Sequence, residues 1–237
     1  MSEIKLVCSD CMKGLRSLQD ESVDLVVTDP PYLQTSRGKS CRPNYMKDGI
    51  RDNLFDYPLI EPSVWMSEVY RVLKPDTHFY TFCNTNDLQR YLETASKVGF
   101  KLHNVISMIK DTKMPNQWYL KYVEYVLFFR KGKAKPINDP TSRNYAFVNM
   151  PTQKNGKIHI TQKPQNFIEK LITNSSQPGD IVLDPFMGGA TTAAACVATN
   201  RNFLGYEIDA DSFNAAQTRM EEILTLSAGS FLLEIEE

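Results

Sequence analysis

Residues 23–32, Val-Asp-Leu-Val-Val-Thr-Asp-Pro-Pro-Tyr, leave the chain few choices. Residues 23–27 form an apolar, β-branched run, long enough for a buried strand and too short for a helix. The two prolines forbid its continuation: each fixes its own φ, removes an N–H and pushes the preceding residue into an extended conformation. A carboxylate, Asp29, is thereby delivered at the carboxyl end of a core strand, on a stiff turn, with the ring of Tyr32 just beyond. Open α/β sheets bind ligands at that edge. A rigid carboxylate beside the Pro30 carbonyl can accept two hydrogen bonds from one –NH2 group, and a nearby ring can stack on a flat heterocycle. The same letters also fit a plain Asp-Pro-Pro turn that ends a strand.

Around this turn the chain alternates. Residues 4–8 read as a strand, followed by Ser9, Asp10 and a short amphipathic helix through Leu15 and Leu18. Residues 33–57 are polar and carry Arg37, Lys39, Arg42, Lys47 and Arg51; a loop of that length directly after the turn reads as a mobile substrate flap. Ser63 is expected to cap a helix with Val64, Trp65, Val69, Val72 and Leu73 on its apolar positions, ended by Pro75. Residues 77–83 read as a strand, 87–98 as a helix stopped by Gly99, and 102–109 with 122–129 as an antiparallel pair. Residues 131–157 contain Gly132, Pro136, Pro140, Pro151 and Gly156 with little periodicity, the pattern of a small lobe or insertion.

Regularity then returns, with a helix over 164–174, a strand over 181–183, helices over 191–198 and 210–226, and a strand over 203–206 between them. Residues 231–233 could pack on the sheet edge or on a partner. The expectation is a single α/β domain over 1–237: a Rossmann-like, doubly wound sheet, mostly parallel and made mixed by one antiparallel strand near 122–129. Trp65 and Phe79 are read as core.

Charge and cysteine usage narrow the function classes. A net charge of −1 hides a basic stretch, Lys131, Lys133, Lys135, Arg143, Lys154, Lys157 and Lys163 against Asp139, which suggests a surface that faces a polyanion. The five cysteines are odd in number and scattered, which argues against a disulfide framework. Cys8 and Cys11 lack a second pair at zinc-site spacing and read as a strand end and a helix start. Residues 1–5 carry no signal-peptide pattern and no apolar run reaches membrane-spanning length, so a cytoplasmic location is expected.

A second site follows from residues 181–198: strand, small-residue turn, helix. The small residues let the backbone approach a ligand and the helix start supplies N–H groups. Glu207 lies about 20 residues past the glycines, where an acid usually takes ribose hydroxyls. The turn is neither G-x-G-x-x-G nor a Walker pattern, which favours a nucleoside cofactor without phosphates.

Asp29-Pro30-Pro31-Tyr32 paired with the later Asp184-Pro185-Phe186-Met187-Gly188 resembles the S-adenosylmethionine-dependent DNA amino-methyltransferases. The order, catalytic motif before cofactor motif, is similar to the permuted β group and implies its permuted methyltransferase topology. Ser9-Asp10-Cys11-Met12 resembles the motif whose acid approaches the cofactor adenine. Residues 68–75 resemble the helix end after the catalytic strand, 122–133 the strand and basic turn beside the target-base pocket, and 159–164 the segment at the methionine end of the cofactor. Where the family has F-x-G-x-G, the last position here is Ala190, still small. The family's target-recognition region is short here, near 131–158.

The resemblance implies S-adenosylmethionine as cofactor, DNA as partner, neither membrane nor metal, and allows a homodimer. It assigns Asp29, Pro30 and Tyr32 to catalysis. It assigns Asp10, Asp29, Lys163, Asp184, Phe186, Gly188, Gly189, Thr191 and Glu207 to the cofactor, and Tyr32, Arg37, Lys39, Arg42, Lys131, Lys133 and Arg143 to DNA. The reaction implied is methylation of the N6 amine of a flipped adenine in a bacterial, archaeal or phage-infected cell. Cytosine N4, RNA or a protein amide as acceptor, and a non-catalytic nucleic-acid-binding relative, are the alternatives. His159 is read as orienting or packing, and Trp118 and Tyr119 as facing nucleic acid or packing in a turn.

Overall fold

The computed structural model describes residues 2–31, 60–114, 119–133, 135–150, 163–227 and 231–236. Among them lie nine strands, β1 (Ser2–Cys8), β2 (Val23–Thr28), β3 (Leu73–Cys83), β4 (Lys101–Met114), β5 (Lys121–Arg130), β6 (Tyr145–Val148), β7 (Ile181–Asp184), β8 (Asn202–Glu207) and β9 (Phe231–Glu236). The helices are α1 (Cys11–Ser17), α2 (Pro62–Val72), α3 (Leu88–Val98), α4 (Gln165–Ser175), α5 (Thr191–Ala198) and α6 (Ala210–Leu226). The strands form one sheet in the order β6-β4-β5-β3-β2-β7-β8-β1-β9. β5 is antiparallel to both neighbours, and every other pairing is parallel.

β2 shows why the sheet is covered twice. Leu25, Val26 and Val27 are all fully buried although successive side chains point to opposite faces. Leu25 and Val27 join a core with Ile168, Ile172 and Ala194 of α4 and α5, and Val26 joins another with Leu15, Trp65 and Tyr91 of α1 to α3. Trp65 and Phe79 meet edge to face in that second core, at 6.0 Å between centroids.

Some boundaries differ from the sequence expectation for local reasons. α2 begins one residue before Ser63: Glu61 is the cap and makes no side-chain capping bond, and Pro62 occupies the first turn, where a missing N–H costs nothing. The helix ends at Val72, before Pro75, because Leu73 already pairs with Val23 of β2. The register then jumps to Leu25 opposite His78, so Pro75 sits in an irregularity of β3 beside Asp76, whose φ is +59°. Residues 145–148, inside the stretch without periodicity, form β6 on the outer edge, and the acidic tail supplies β9 beside β1 on the other. Among the described residues no helix is long and apolar enough to cross a membrane.

Candidate active site

β2, β7, β8 and β1 are consecutive, parallel neighbours, so their carboxyl ends share one edge of the sheet. Each is closed by an acid: Asp29 just after β2, Asp184 ending β7, Glu207 ending β8, and Asp10 two residues past β1. The two sites separated by some 155 positions in the chain are thus two strands of one cleft, joined by a hydrogen bond from Thr28 Oγ1 to Asp184 Oδ1 across 156 residues.

Asp184 makes that junction and is itself hidden. It accepts from Thr28 Oγ1 at 2.6 Å, Thr192 Oγ1 at 2.7 Å and the Phe186 N–H at 3.1 Å. Burial pushes its carboxyl up to about 6 against these three hydrogen bonds. It therefore fixes the end of β2, the turn and the start of α5 relative to one another. The resemblance assigned it to the cofactor; its bonds here are to the protein.

The turn after β7 is shaped for close approach. Met187 N–H donates to Tyr206 O at 3.0 Å, and Gly188, at φ +48°, donates its N–H to Glu207 Oε2 at 2.9 Å. Ala190 stands at φ +55°, a left-handed position that glycine takes freely and that costs an L-residue about 1–2 kcal/mol. Its fully buried methyl packs in the core and offsets part of that cost. Arg219 fastens the turn from outside: Nη1 donates to Gly189 O at 2.7 Å and to Thr191 Oγ1 at 3.1 Å. None of the sequence motifs points to Arg219. The available signal was its place on the buried stripe of α6 with Phe213, Ala216 and Met220.

Glu207 takes the Gly188 N–H on one oxygen and the Asp209 N–H, at 2.8 Å, on the other; burial outweighs these contacts and raises its pKa. Asp10 caps α1, with Oδ1 accepting from Met12 and Lys13 N–H groups at 2.8 and 3.1 Å. Ser9 N–H donates to Glu207 O at 2.9 Å, which keeps the two acids side by side. Phe186 packs edge to face on Trp65 at 5.4 Å, bracing the turn against the core of α1 to α3.

At Asp29 the sequence reading missed a partner. Lys163, buried, donates to Asp29 Oδ2, lies 3.5 Å from Glu124 Oε2 and sits 5.1 Å over the Phe82 ring. Glu124 Oε1 in turn takes Lys110 at 2.8 Å. Burial opposes the charge of Lys163, but Asp29 and Glu124 outweigh it and raise its pKa. Burial likewise opposes the charge of Glu124, and Lys163 with Lys110 brings its pKa below the usual value.

Other expected residues are elsewhere. Because β5 runs antiparallel, the chain leaves it at the opposite edge of the sheet. Lys131 N–H donates there to Thr77 O, and its buried ammonium donates to Leu73 O at 2.6 Å, lies 3.4 Å from Glu21 and covers the Tyr70 ring. Lys133 is next to it, exposed, with its N–H on Asp76 Oδ1. Neither reaches the Asp29 cleft. Arg143 is exposed beside the outermost strand, bonded to Tyr145 Oη at 2.9 Å. Tyr32, Arg37, Lys39, Arg42, Trp118 and His159 lie outside the described residues. Tyr119 is exposed.

An edge lined by carboxylates and N–H donors suits a ligand that carries hydroxyls and positive charge, and repels phosphates. Among the described residues no group of three or more His, Cys, Asp or Glu is arranged to hold a metal ion.

The chain matches the DNA methylase family over residues 23–218. The Type II methyltransferase M.HpaI of Haemophilus parainfluenzae is 32% identical over 243 residues, 92% of this chain and 74% of that protein. The Type II methyltransferase M.HinfI of Haemophilus influenzae is 28% identical over 241 residues, 90% of this chain and 67% of that one. The crystal structure of the M1.HpyAVI–SAM complex superposes with a TM-score of 0.68 at 26% identity, covering 91% of this chain and 99% of the other.

Proposed function

This chain belongs to the N6/N4 DNA methylase family, and from that premise we propose that it transfers the methyl group of S-adenosylmethionine to the N6 amine of adenine in DNA. The observation that carries the reading is the convergence of Asp29 and the Gly188–Glu207 turn on one strand edge, locked by the Thr28–Asp184 bond. The residues present fit this cofactor: Glu207 and Asp10 offer acceptors to its ribose and adenine, the Gly188 turn a close backbone approach, and the acidic row counters its positive charge. When bound, S-adenosylmethionine supplies a methyl group activated by its attachment to a sulfonium.

The chain's own residues prepare the other reactant. An adenine amine is a poor nucleophile because its lone pair is delocalised into the ring. Asp29 and the Pro30 carbonyl accept its two hydrogens and draw the nitrogen toward tetrahedral geometry, so that the lone pair becomes available for in-line attack. As positive charge grows on nitrogen, the carboxylate of Asp29 stabilises it in a site already oriented to do so, and one of the two amine protons then leaves, so that the methylated amine is neutral. Tyr32 stacks on the base, which has left the duplex at a cost of a few kcal/mol. Phosphate contacts from Arg37, Lys39, Arg42 and Arg143, with the part of segment 131–158 that follows Lys133 reading the target, offset that cost. Lys131 and Lys133, at the far edge, are not included. The aspartate at position 29 favours adenine over cytosine by resemblance to the family. A cytoplasmic location follows from such a substrate.

Asp29→Ala tests the reading. With methyl-labelled cofactor and DNA, the variant is expected to lose all measurable transfer while calorimetry gives a cofactor Kd close to that of the wild type. Equal transfer by the variant would remove Asp29 from the role given to it.

A further inference from the structure

The ion pair at Asp29 extends into an alternating chain, Lys110–Glu124–Lys163–Asp29, that runs from β4 through β5 to the tip of β2. We propose that Lys163 is a positioning residue for methyl transfer, held in place by Glu124 so that it fixes the carboxylate of Asp29 for the incoming amine. This rests on the function proposed above and departs from the cofactor role that the resemblance gives Lys163.

The geometry decides between the two neighbours of the ammonium. Lys163 hydrogen-bonds to Asp29, whereas Glu124 Oε2 stands 3.5 Å away and, though buried, makes no hydrogen bond. The cation thus belongs to Asp29 by directed bonding and to Glu124 by charge. A buried ammonium with one counterion sharing its charge out to substrate would be costly. The second carboxylate, itself anchored by Lys110, lets Lys163 stay charged while Asp29 engages the amine.

Both ends of this arrangement are rigid. Lys163 is followed by Pro164, whose carbonyl receives the Phe167 and Ile168 N–H groups and so ties the residue to the start of α4. Glu124 lies within β5, paired with Met108 of β4. Asp29 sits just past the last ladder residue of β2, on the turn that the two prolines stiffen, and its carboxylate is met there by Lys163. A displacement of about 1 Å in a catalytic group can cost about a hundredfold in rate.

The test compares wild type with Lys163→Met, Lys163→Arg, Glu124→Gln and the Met/Gln double variant, reading kcat on DNA and cofactor Kd by calorimetry. Lys163→Met is expected to lower kcat about a hundredfold with Kd within about threefold of the wild type, and Lys163→Arg to recover at least about tenfold of the loss. Glu124→Gln is expected to lower kcat about tenfold, and the double variant to be no worse than Lys163→Met alone, as coupled residues require. A raised Kd with kcat preserved would overturn the proposal in favour of a cofactor ligand. Independent, additive losses would overturn it as well. Should Lys163→Met fail to fold, an unchanged kcat in Glu124→Gln would still overturn it. A wild type without transfer would overturn the function and this proposal together; an active wild type with equally active variants would overturn this proposal alone.

Discussion

The carboxylate of Asp184 occupies a site that favours its neutral form. Burial raises its pKa from 3.8 to about 6, so between those values the folded chain holds a proton that the unfolded chain has released. Stability from this group is therefore greatest at the acid end of the window and falls as pH rises through it, by on the order of 2 kcal/mol. Asp184→Asn keeps the shape and can still meet both threonine hydroxyls, which rotate to suit. Thermal unfolding of both proteins from pH 4 to 7 is expected to show the wild type losing ground to the variant as pH rises; parallel curves would contradict the assignment. Residues of this kind were only half legible. The motif around Asp184 named the position, but nothing in it distinguished a ligand-facing acid from one spent on Thr28 and Thr192. Lys163 and Glu124 were separately visible, yet their meeting depends on β5 and the start of α4 being neighbours in space.

At the scale of elements, α1, capped by Asp10, lies against β8 through Gly14. A Cβ there would stand 2.2 Å from the ring of buried Tyr206, far inside contact distance. Alanine would gain up to about 1 kcal/mol of helix propensity, but overpacking of this severity costs about 1–3 kcal/mol. The overlap wins, and α1 must tilt or shift. Gly14→Ala is expected to lower stability in a denaturant titration and to raise the cofactor Kd through displacement of Asp10, with kcat at saturating cofactor little changed. A midpoint and Kd equal to those of the wild type would show that α1 tolerates the methyl. The elements with continuous apolar runs, β2, β3, β5, β7 and β8, were readable because burial on both faces leaves that signature. β6 was not: its apolar run, Tyr-Ala-Phe-Val, is only four residues long and sits on the outer edge with Tyr145 and Phe147 exposed, inside a stretch punctuated by Gly and Pro. Pro75 misled in the same way, since it marks an irregularity inside β3 and not the end of α2.

For the whole molecule, strand direction sorts the basic residues more firmly than their order in the chain. The charge count from 131 to 163 treats Lys131 and Lys163 alike, yet one lies at the amino edge of the sheet and the other beside Asp29. A duplex presented to the carboxyl edge would leave Lys131 untouched. Sequence motifs could name the two turns; only the order β2-β7-β8-β1 puts them within one cleft.

Identification of the methylated nucleoside tests this reading most directly. Duplex DNA would be incubated with the protein and methyl-labelled S-adenosylmethionine, digested to nucleosides and separated by chromatography with mass detection. All label is expected in N6-methyldeoxyadenosine. Label in N4-methyldeoxycytidine would contradict the acceptor assigned to Asp29, and unlabelled DNA from protein that binds the cofactor would contradict methyl transfer to DNA itself.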